Sequence, residues 1–313
     1  MSQPKVLITK RIPELATRLL VKAGFLVKTY DEIGPLSHEE LMVAAKNYDA
    51  ILTMLSDNIN EVFIEQNQHL KIIANYAVGF NNININQAKK YNIAVANTPN
   101  VLTEATAELT LSLILSLSRR INLASDYIQK GNWKSWEPLG FLGPTLYRKT
   151  IGLIGMGRIA KELARLCEQA FSMKVLYFSR SDKNTELDEL LSTSDIVSLH
   201  CDLNPETMNM FNLSYFKKMK DSALFINTSR GEVHNEKDLI YALKNKLIAG
   251  AALDVTNPEP IDLNSALLKM KNVLITPHIG SATYEARNSM AKLAAENIIA
   301  VLNKKKAPSL VIT

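Results

Sequence analysis

Three polar residues in the second half of the chain have the types needed to reduce a small 2-oxo acid. Arg230 sits in NTSRGE, Glu259 in ALDVTNPEP and His278 in ITPHIGSAT. Such a reduction needs a group that holds the carboxylate and polarises the carbonyl, and the fixed fork of a guanidinium does both. It also needs a proton for the oxygen that turns basic as hydride arrives, and imidazole exchanges protons near neutral pH. A carboxylate beside the imidazole favours its charged form until that moment. Each of the three residues follows a strand-like apolar run: ALFINT, IAGAALD and VLIT. Ligand sites in open α/β sheets lie beyond the carboxyl ends of the strands, so the three loops would converge on one crevice. The remaining histidines, His38, His69, His200 and His234, lack such a context and read as structural or surface groups.

The hydride needs a carrier, and IGLIGMGRIA (Ile151 to Ala160) has the pattern that binds a dinucleotide. A strand ends at Gly155 and a helix begins after Gly157. Gly155 permits the tight turn, Gly157 lets the backbone approach a pyrophosphate, and the small Ala160 lets helix and strand pack closely. The open N–H groups and positive dipole end of the helix then face the anion. The next strand ends YFSRSD, with Ser179 at the position where an NAD-preferring site carries an acid. With no carboxylate there, Arg180 would pair with a 2′-phosphate while Ser179 and Ser181 hydrogen-bond to it, which favours NADP(H). The alternative is NAD(H), with Arg180 a solvated charge and Asp182 doing the work of the acid.

These sites need a frame, and the apolar pattern supplies one. Val6–Thr9, Leu26–Tyr30, Ala50–Leu55, Lys71–Tyr76 and Ile93–Asn97 read as strands. Helical segments lie between them, one from Pro13, one opening at Ser37 with Glu40 completing a capping box, and one after Asn84. After the break at Thr98-Pro99-Asn100, a long helix runs from Thr103 to Arg120. It is apolar on most sides, which predicts burial between lobes or subunits. The turn-rich stretch Gly131 to Arg148 carries Trp133 and Trp136, and a loop of that length is usually functional. Six more strands follow: Thr150–Gly155, Lys174–Ser179, Asp195–His200, Ala223–Thr228, Ile248–Asp254 and Val273–Thr276. A helix from Ser281 to Asn303 would pack back on the first lobe. The pattern predicts an α/β protein of two doubly wound, mostly parallel sheets.

Composition narrows the function classes. The chain has 313 residues and a formal charge of +5. Its basic residues are scattered apart from Lys304, Lys305 and Lys306, without the clusters that nucleic-acid binding requires. LTLSLILSLS (Leu109 to Ser118) is too short and hydroxyl-rich to span a bilayer, and MSQPKVLITK lacks a signal-peptide core. The two cysteines, Cys167 and Cys201, form no CxxC pair and read as small buried apolar residues suited to a reducing cytoplasm.

Taken together, NYAVGFNNI, ANTPNVLTEATAEL, GLIGMGRIA, FINTSRGE, LDVTNPEP and PHIGSAT resemble, in order and over the whole chain, the D-isomer-specific 2-hydroxyacid dehydrogenase family. Within it the resemblance is to the glyoxylate/hydroxypyruvate reductases. It implies two Rossmann-like domains: a flavodoxin-like substrate lobe at 1–99, completed by the C-terminal helix at 284–313, and a dinucleotide-binding lobe at 100–283. It implies that Arg230 binds the substrate carboxylate, that Glu259 tunes the histidine and that His278 donates the proton. Val78 and Gly79 would offer N–H groups to the carboxylate, and Ser281 would touch the substrate. Thr103, Gly155, Met156, Gly157, Arg158, Ile159, Ser179, Arg180, Ser181, Cys201, Thr228, Asp254 and Gly280 match positions around the cofactor. No metal is implied.

The family pattern also implies a homodimer and the NADP(H)-dependent reduction of glyoxylate and hydroxypyruvate to D-2-hydroxy acids. Leu55, Phe141 and a tryptophan are candidates for the walls of a short pocket. NWKSWEP (Asn132 to Pro138) resembles the segment that carries a tryptophan to the partner's site, and local packing of the loop is the equal alternative. Two departures stand out: GFNNIN has Asn81 and Asn84 where aspartate is common, and Asp202 replaces a usual proline. Asn84 can cap a helix as well as an aspartate can. D-Lactate, phosphoglycerate or bulkier 2-oxo acids remain alternative substrates, and a cofactor-sensing interaction protein the alternative from another class.

Overall fold

Short runs of Val, Ile, Leu and Ala alternating with helix-period segments build two parallel sheets in the structure, a computed structural model that describes residues 3–31, 34 and 36–312. The chain divides into two compact units, one running up to Leu102 and resuming at Ser281, the other spanning Thr103–Gly280.

In the first unit, β1 (Lys5–Ile8), β2 (Leu26–Thr29), β3 (Ala50–Thr53), β4 (Ile72–Asn75) and β5 (Ala94–Ala96) pair in parallel in the order β5-β4-β3-β1-β2. This is the flavodoxin-like order. A terminal strand, Leu310–Ile312, adds antiparallel to β5. The sequence reading missed it because three residues at a chain end give no alternation to detect. One face of the sheet buries Leu7, Ile51, Ile73 and Val95 against Leu41, Phe63 and Ile64. The helix Tyr284–Leu302 belongs to this unit and packs on the helix Leu15–Lys22 and on β4. Ser37 accepts from Glu40 N and Glu40 answers to Ser37 N, which is the expected capping box. Asn84 accepts from Gln87 N, so it caps its helix as an aspartate would.

In the second unit, β6 (Thr150–Ile154), β7 (Lys174–Phe178), β8 (Ile196–Leu199), β9 (Leu224–Asn227), β10 (Gly250–Leu253) and β11 (Val273–Ile275) pair in parallel in the order β11-β10-β9-β8-β6-β7. Both faces are covered, as continuous apolar strands require. Val197, Leu199 and Phe225 pack with Phe211, Phe216 and Leu239 on one side. Ile151, Leu153, Ile226 and Ala252 pack with Leu113, Ile114, Ala160 and Leu163 on the other.

The helix Thr103–Ser118 buries Ala107, Leu113 and Ile114 in its own unit's core, against the helix Arg158–Phe171. Its wide apolar face reflects contact with both a sheet and a neighbouring helix. The stretch after Gly131 is irregular, and Trp133 and Trp136 are 62% and 82% exposed, so they do not pack locally. Phe141 lies edge-on to Tyr127 and lines a cavity of about 550 Å³ with Leu224, Gly250 and Val273, the first residues of three strands. This is the amino edge of the sheet, opposite the edge that carries His278, so Phe141 does not wall that chemistry within its own chain. No helix among the described residues is long and apolar enough to cross a membrane.

Candidate functional site

The three candidate catalytic side chains come from loops at the carboxyl edge of the second unit's sheet. Arg230 follows β9, Glu259 lies beyond β10 and His278 beyond β11, and these strands are neighbours. His278 Nδ1 lies 2.8 Å from Glu259 Oε1. A carboxylate accepts, so the proton of this bond sits on Nδ1, and Nε2 is the ring nitrogen left to exchange a proton with a ligand.

His278 has φ 53°, in the left-handed region that is costly for a side chain with Cβ. Asp254, 1% exposed, holds it there. Asp254 Oδ1 accepts from Thr276 Oγ1 at 2.6 Å and from Ile279 N at 2.8 Å, and Oδ2 accepts from Gly280 N at 2.8 Å. Its backbone carbonyl accepts from His278 N at 2.9 Å. Burial raises the Asp254 pKa, while these donors and the nearby His278 pull it back.

The Arg230 loop is fixed from two sides. Arg230 is extended, and its Nη1 donates to the Ser229 carbonyl at 2.6 Å. Asn227 Nδ2 donates to the Arg230 carbonyl at 2.8 Å. A Cβ on Gly231 would lie 2.0 Å from the Thr256 carbonyl oxygen, so only glycine lets this loop touch the segment leading to Glu259. Burial lowers the Arg230 pKa against the pull of Glu259, Asp202 and Glu232. A guanidinium keeps its charge even so.

The glycine turn stands where the strand order reverses, between β6 and β8. Gly155 has φ 94°, and a Cβ there would come within 2.7 Å of the His200 carbonyl group. Gly157 begins the helix Arg158–Phe171 with no side-chain cap, and a Cβ on it would meet nothing within 4 Å. The open first-turn N–H groups and the free space above them fit a pyrophosphate. Ala160 is fully buried, which brings the helix close to the sheet. Met156 and Ile159 are half-buried beside the turn, and Arg158 is exposed.

Around the rest of this edge the candidates differ in what already occupies them. Ser179 Oγ donates to the Asp182 carbonyl at 2.5 Å, and Arg180 pairs with Glu206 at 3.0 Å while both stay largely exposed. Ser181 is exposed. The Asp182 carboxylate accepts from Tyr177 Oη at 3.1 Å. Thr228 Oγ1 meets Thr110 Oγ1 at 3.0 Å and ties the end of β9 to the helix that Thr103 opens. Cys201 is half-buried, with burial pushing its thiol up to about 11, and Cys167 is buried and pushed up to about 12. Gly280 is buried beside Asp254.

In the first unit, the turn after β4 presents backbone. Thr98 N donates to the Ala77 carbonyl at 2.8 Å, Asn97 Nδ2 to that of Val78 at 2.8 Å and Asn75 Nδ2 to that of Gly79 at 2.8 Å. With its carbonyls pinned, the turn leaves the N–H groups of Val78 and Gly79 without a protein acceptor among the described residues. Ser281 is half-buried and its carbonyl accepts from Thr283 N. Sequence reasoning overlooked Asn75, Asn227 and Thr276, whose signal was only a polar residue closing an apolar strand.

Residues 111–280 match the D-isomer specific 2-hydroxyacid dehydrogenase, NAD binding domain. The glyoxylate reductase of Pyrococcus furiosus is 42% identical over 99% of this chain and 95% of its own length. A crystal structure of a Thermus thermophilus protein superposes with a TM-score of 0.94 at 38% identity, covering 98% of this chain and all of that one (100%). An NADPH-dependent glyoxylate/hydroxypyruvate reductase of Sinorhizobium meliloti, solved with NADP and malonate, gives a TM-score of 0.87 at 26% identity, over 99% of this chain and 97% of that one.

Proposed function

This chain belongs to the D-isomer-specific 2-hydroxyacid dehydrogenase family, and from that premise we propose that it reduces glyoxylate to glycolate and hydroxypyruvate to D-glycerate. It is an oxidoreductase acting on the CH–OH group of 2-hydroxy acids, with a nicotinamide dinucleotide as cofactor. The observation that carries the reading is the 2.8 Å pairing of His278, beyond β11, with Glu259, beyond β10, beside the strand β9 that presents Arg230.

When bound, the reduced dinucleotide supplies the hydride. The guanidinium of Arg230 binds the substrate carboxylate and polarises the keto group. The N–H groups of Val78 and Gly79 bind the same carboxylate, and Ser281 borders the substrate. His278 gives its Nε2 proton to the keto oxygen, and Glu259, at Nδ1, stabilises the imidazolium that precedes this transfer. The turn Gly155–Gly157 and the first turn of its helix hold the pyrophosphate. Thr103, Met156, Arg158, Ile159, Cys201, Thr228, Asp254 and Gly280 line the cofactor site.

The finer parts of this reading are NADP(H) as the preferred cofactor, a homodimer and a cytoplasmic location. Arg180 supports the first, since its exposed fork pairs with the exposed Glu206 at 3.0 Å and a 2′-phosphate offers more charge. The exposed side chains of Trp133, Trp136, Leu139 and Leu142 support the second. The deciding experiment follows nicotinamide absorbance with glyoxylate, hydroxypyruvate, pyruvate and a branched 2-oxo acid, each with NADPH and with NADH. Turnover of the first two above the others, faster with NADPH, is expected. Binding of NADPH with no turnover of any 2-oxo acid would overturn it.

A further inference from the structure

One histidine outside the proposed chemistry is built into the loop that carries Arg230. His234 is 3% exposed, edge-on to Phe225 with ring centroids 5.6 Å apart. A leucine or valine would suit such surroundings, and a histidine needs a partner to be buried there. Its partner is Asn227, itself fully buried at the end of β9: Asn227 Nδ2 lies 3.0 Å from His234 Nδ1.

The neighbours of Asn227 decide which way its amide faces. Asn227 Oδ1 lies 2.9 Å from Ser229 N and 2.9 Å from Ser229 Oγ. A backbone N–H only donates, so the atom facing it is the amide oxygen. Nδ2 faces the Arg230 carbonyl at 2.8 Å, which only accepts. The second N–H of the amide is therefore the one aimed at His234, whose Nδ1 must accept and whose ring proton must sit on Nε2. All four hydrogen-bonding positions of Asn227 are then used, two on Ser229, one on Arg230 and one on His234.

We propose that Asn227 and His234 form a buried amide–imidazole brace that positions Arg230 for the substrate carboxylate, with His234 serving only as a neutral acceptor. The proposal rests on the reading of Arg230 given above. Removing the acceptor leaves a buried N–H unpaired, and the amide can relieve it only by turning away from the Arg230 carbonyl. The Gly231 contact with Thr256 then pins the loop from one side alone. The same Asn227 accepts through its backbone carbonyl from Asp254 N at 2.9 Å, so the brace also adjoins the residue that holds His278.

The test compares His234→Leu, which fills the space without an acceptor, with His234→Gln, whose amide oxygen can replace Nδ1. His234→Leu is expected to raise the KM for glyoxylate about tenfold, the scale of one lost buried hydrogen bond, with the affinity for NADPH unchanged. His234→Gln should recover most of that loss. A KM for glyoxylate in His234→Leu that matches the unsubstituted protein, with only a lower melting temperature, would show a packing role and overturn the brace. Should His234→Leu fail to fold, the imidazole ¹⁵N spectrum of the unsubstituted protein decides the matter. A bare Nδ1 and protonated Nε2 are expected for His234, and the opposite tautomer overturns the proposal. If the unsubstituted protein reduces no 2-oxo acid with either nicotinamide, the reading of Arg230 fails, while the tautomer still decides the brace.

Discussion

The two units have sheets of the same winding, yet their carboxyl edges are organised in opposite ways. In the first unit several polar side chains at this edge bond to one another or to nearby carbonyls. Thr9 Oγ1 donates to Asp57 Oδ2 at 2.5 Å, Thr53 Oγ1 to Asn75 Oδ1 at 3.1 Å, and Asn82 Nδ2 to the carbonyls of Met54 and Asp57 at 3.1 Å each. Besides the unpaired Thr98 hydroxyl, what the described residues of this edge offer a ligand is backbone, the N–H groups of Val78 and Gly79. The second unit keeps its saturated network one layer down, in Asp254, Asn227, Thr276 and His234, and raises ionisable side chains above it. A fully satisfied buried network specifies geometry, whereas an ionisable group with spare capacity can do chemistry. Substitutions at the second unit's outer layer should thus cost rate, and those in either saturated layer should cost stability or positioning.

The largest effect should come from His278→Ala. Losing the proton donor should lower kcat for glyoxylate by roughly 10²–10⁴-fold, the usual worth of a placed acid, with NADPH binding nearly unchanged. Stopped-flow fluorescence for binding and steady-state rates for turnover separate the two. An equal loss of both would mean that His278 supports the fold, and the contrast between layers would collapse.

The saturated layer should reveal itself through pH. Burial holds the His234 pKa down to about 4, from an ordinary 6.5. The unfolded chain takes up this proton near 6.5 and the folded chain only near 4. The stability contributed by neutral His234 is therefore complete above 6.5 and drains away as pH falls toward 4, by roughly 3 kcal/mol in all. Urea midpoints between pH 7 and pH 5 should fall less steeply in His234→Leu than in the unsubstituted protein. Identical slopes would mean that this imidazole is not shielded.

This layering also explains what the sequence could and could not disclose. Arg230, Glu259 and His278 were legible because each follows an apolar strand, and a parallel sheet brings the ends of its strands to one edge. Gly155 and Gly157 were legible because a strand, a turn and a helix surround them. The inner layer was not. Asn227 reads as the last letter of FINT, and His234 as one histidine among several, because a saturated network is defined by partners on other loops. Nothing in the spacing says that the Asp254 carboxylate holds the segment around His278 by three bonds, to Thr276, Ile279 and Gly280. The long helix Thr103–Ser118 was assigned to a boundary because apolar width is visible in sequence and the identity of the covering surface is not.

A smaller effect is expected at the cofactor end. Arg180→Ser removes the cation proposed to meet the 2′-phosphate and should lower the ratio of kcat/KM with NADPH to that with NADH about tenfold, the scale of one charge-assisted pair. Glyoxylate KM measured at saturating NADPH should not move. An unchanged ratio would mean that the pair with Glu206 is only a solvated surface contact.

The smallest effect is the one that tests the first unit. Thr9→Val keeps the shape of the side chain and removes its donor to Asp57, while Met54 N still donates to that carboxylate at 2.7 Å. Burial already raises the Asp57 pKa, and the Thr9 bond opposes it. Without Thr9 the folded chain should hold the Asp57 proton to still higher pH. A carboxyl whose folded pKa lies above its unfolded value loses stability as pH rises through that interval, which is the reverse of His234. The cost of Thr9→Val, about 1–2 kcal/mol at neutral pH, should therefore shrink in acid, where Asp57 is protonated with or without its partner. Thermal melts at neutral and at acid pH read this directly, and kcat/KM for glyoxylate at neutral pH should match that of the unsubstituted protein. A loss of activity larger than the loss of stability would make Thr9 part of the chemistry and erase the distinction between the two edges.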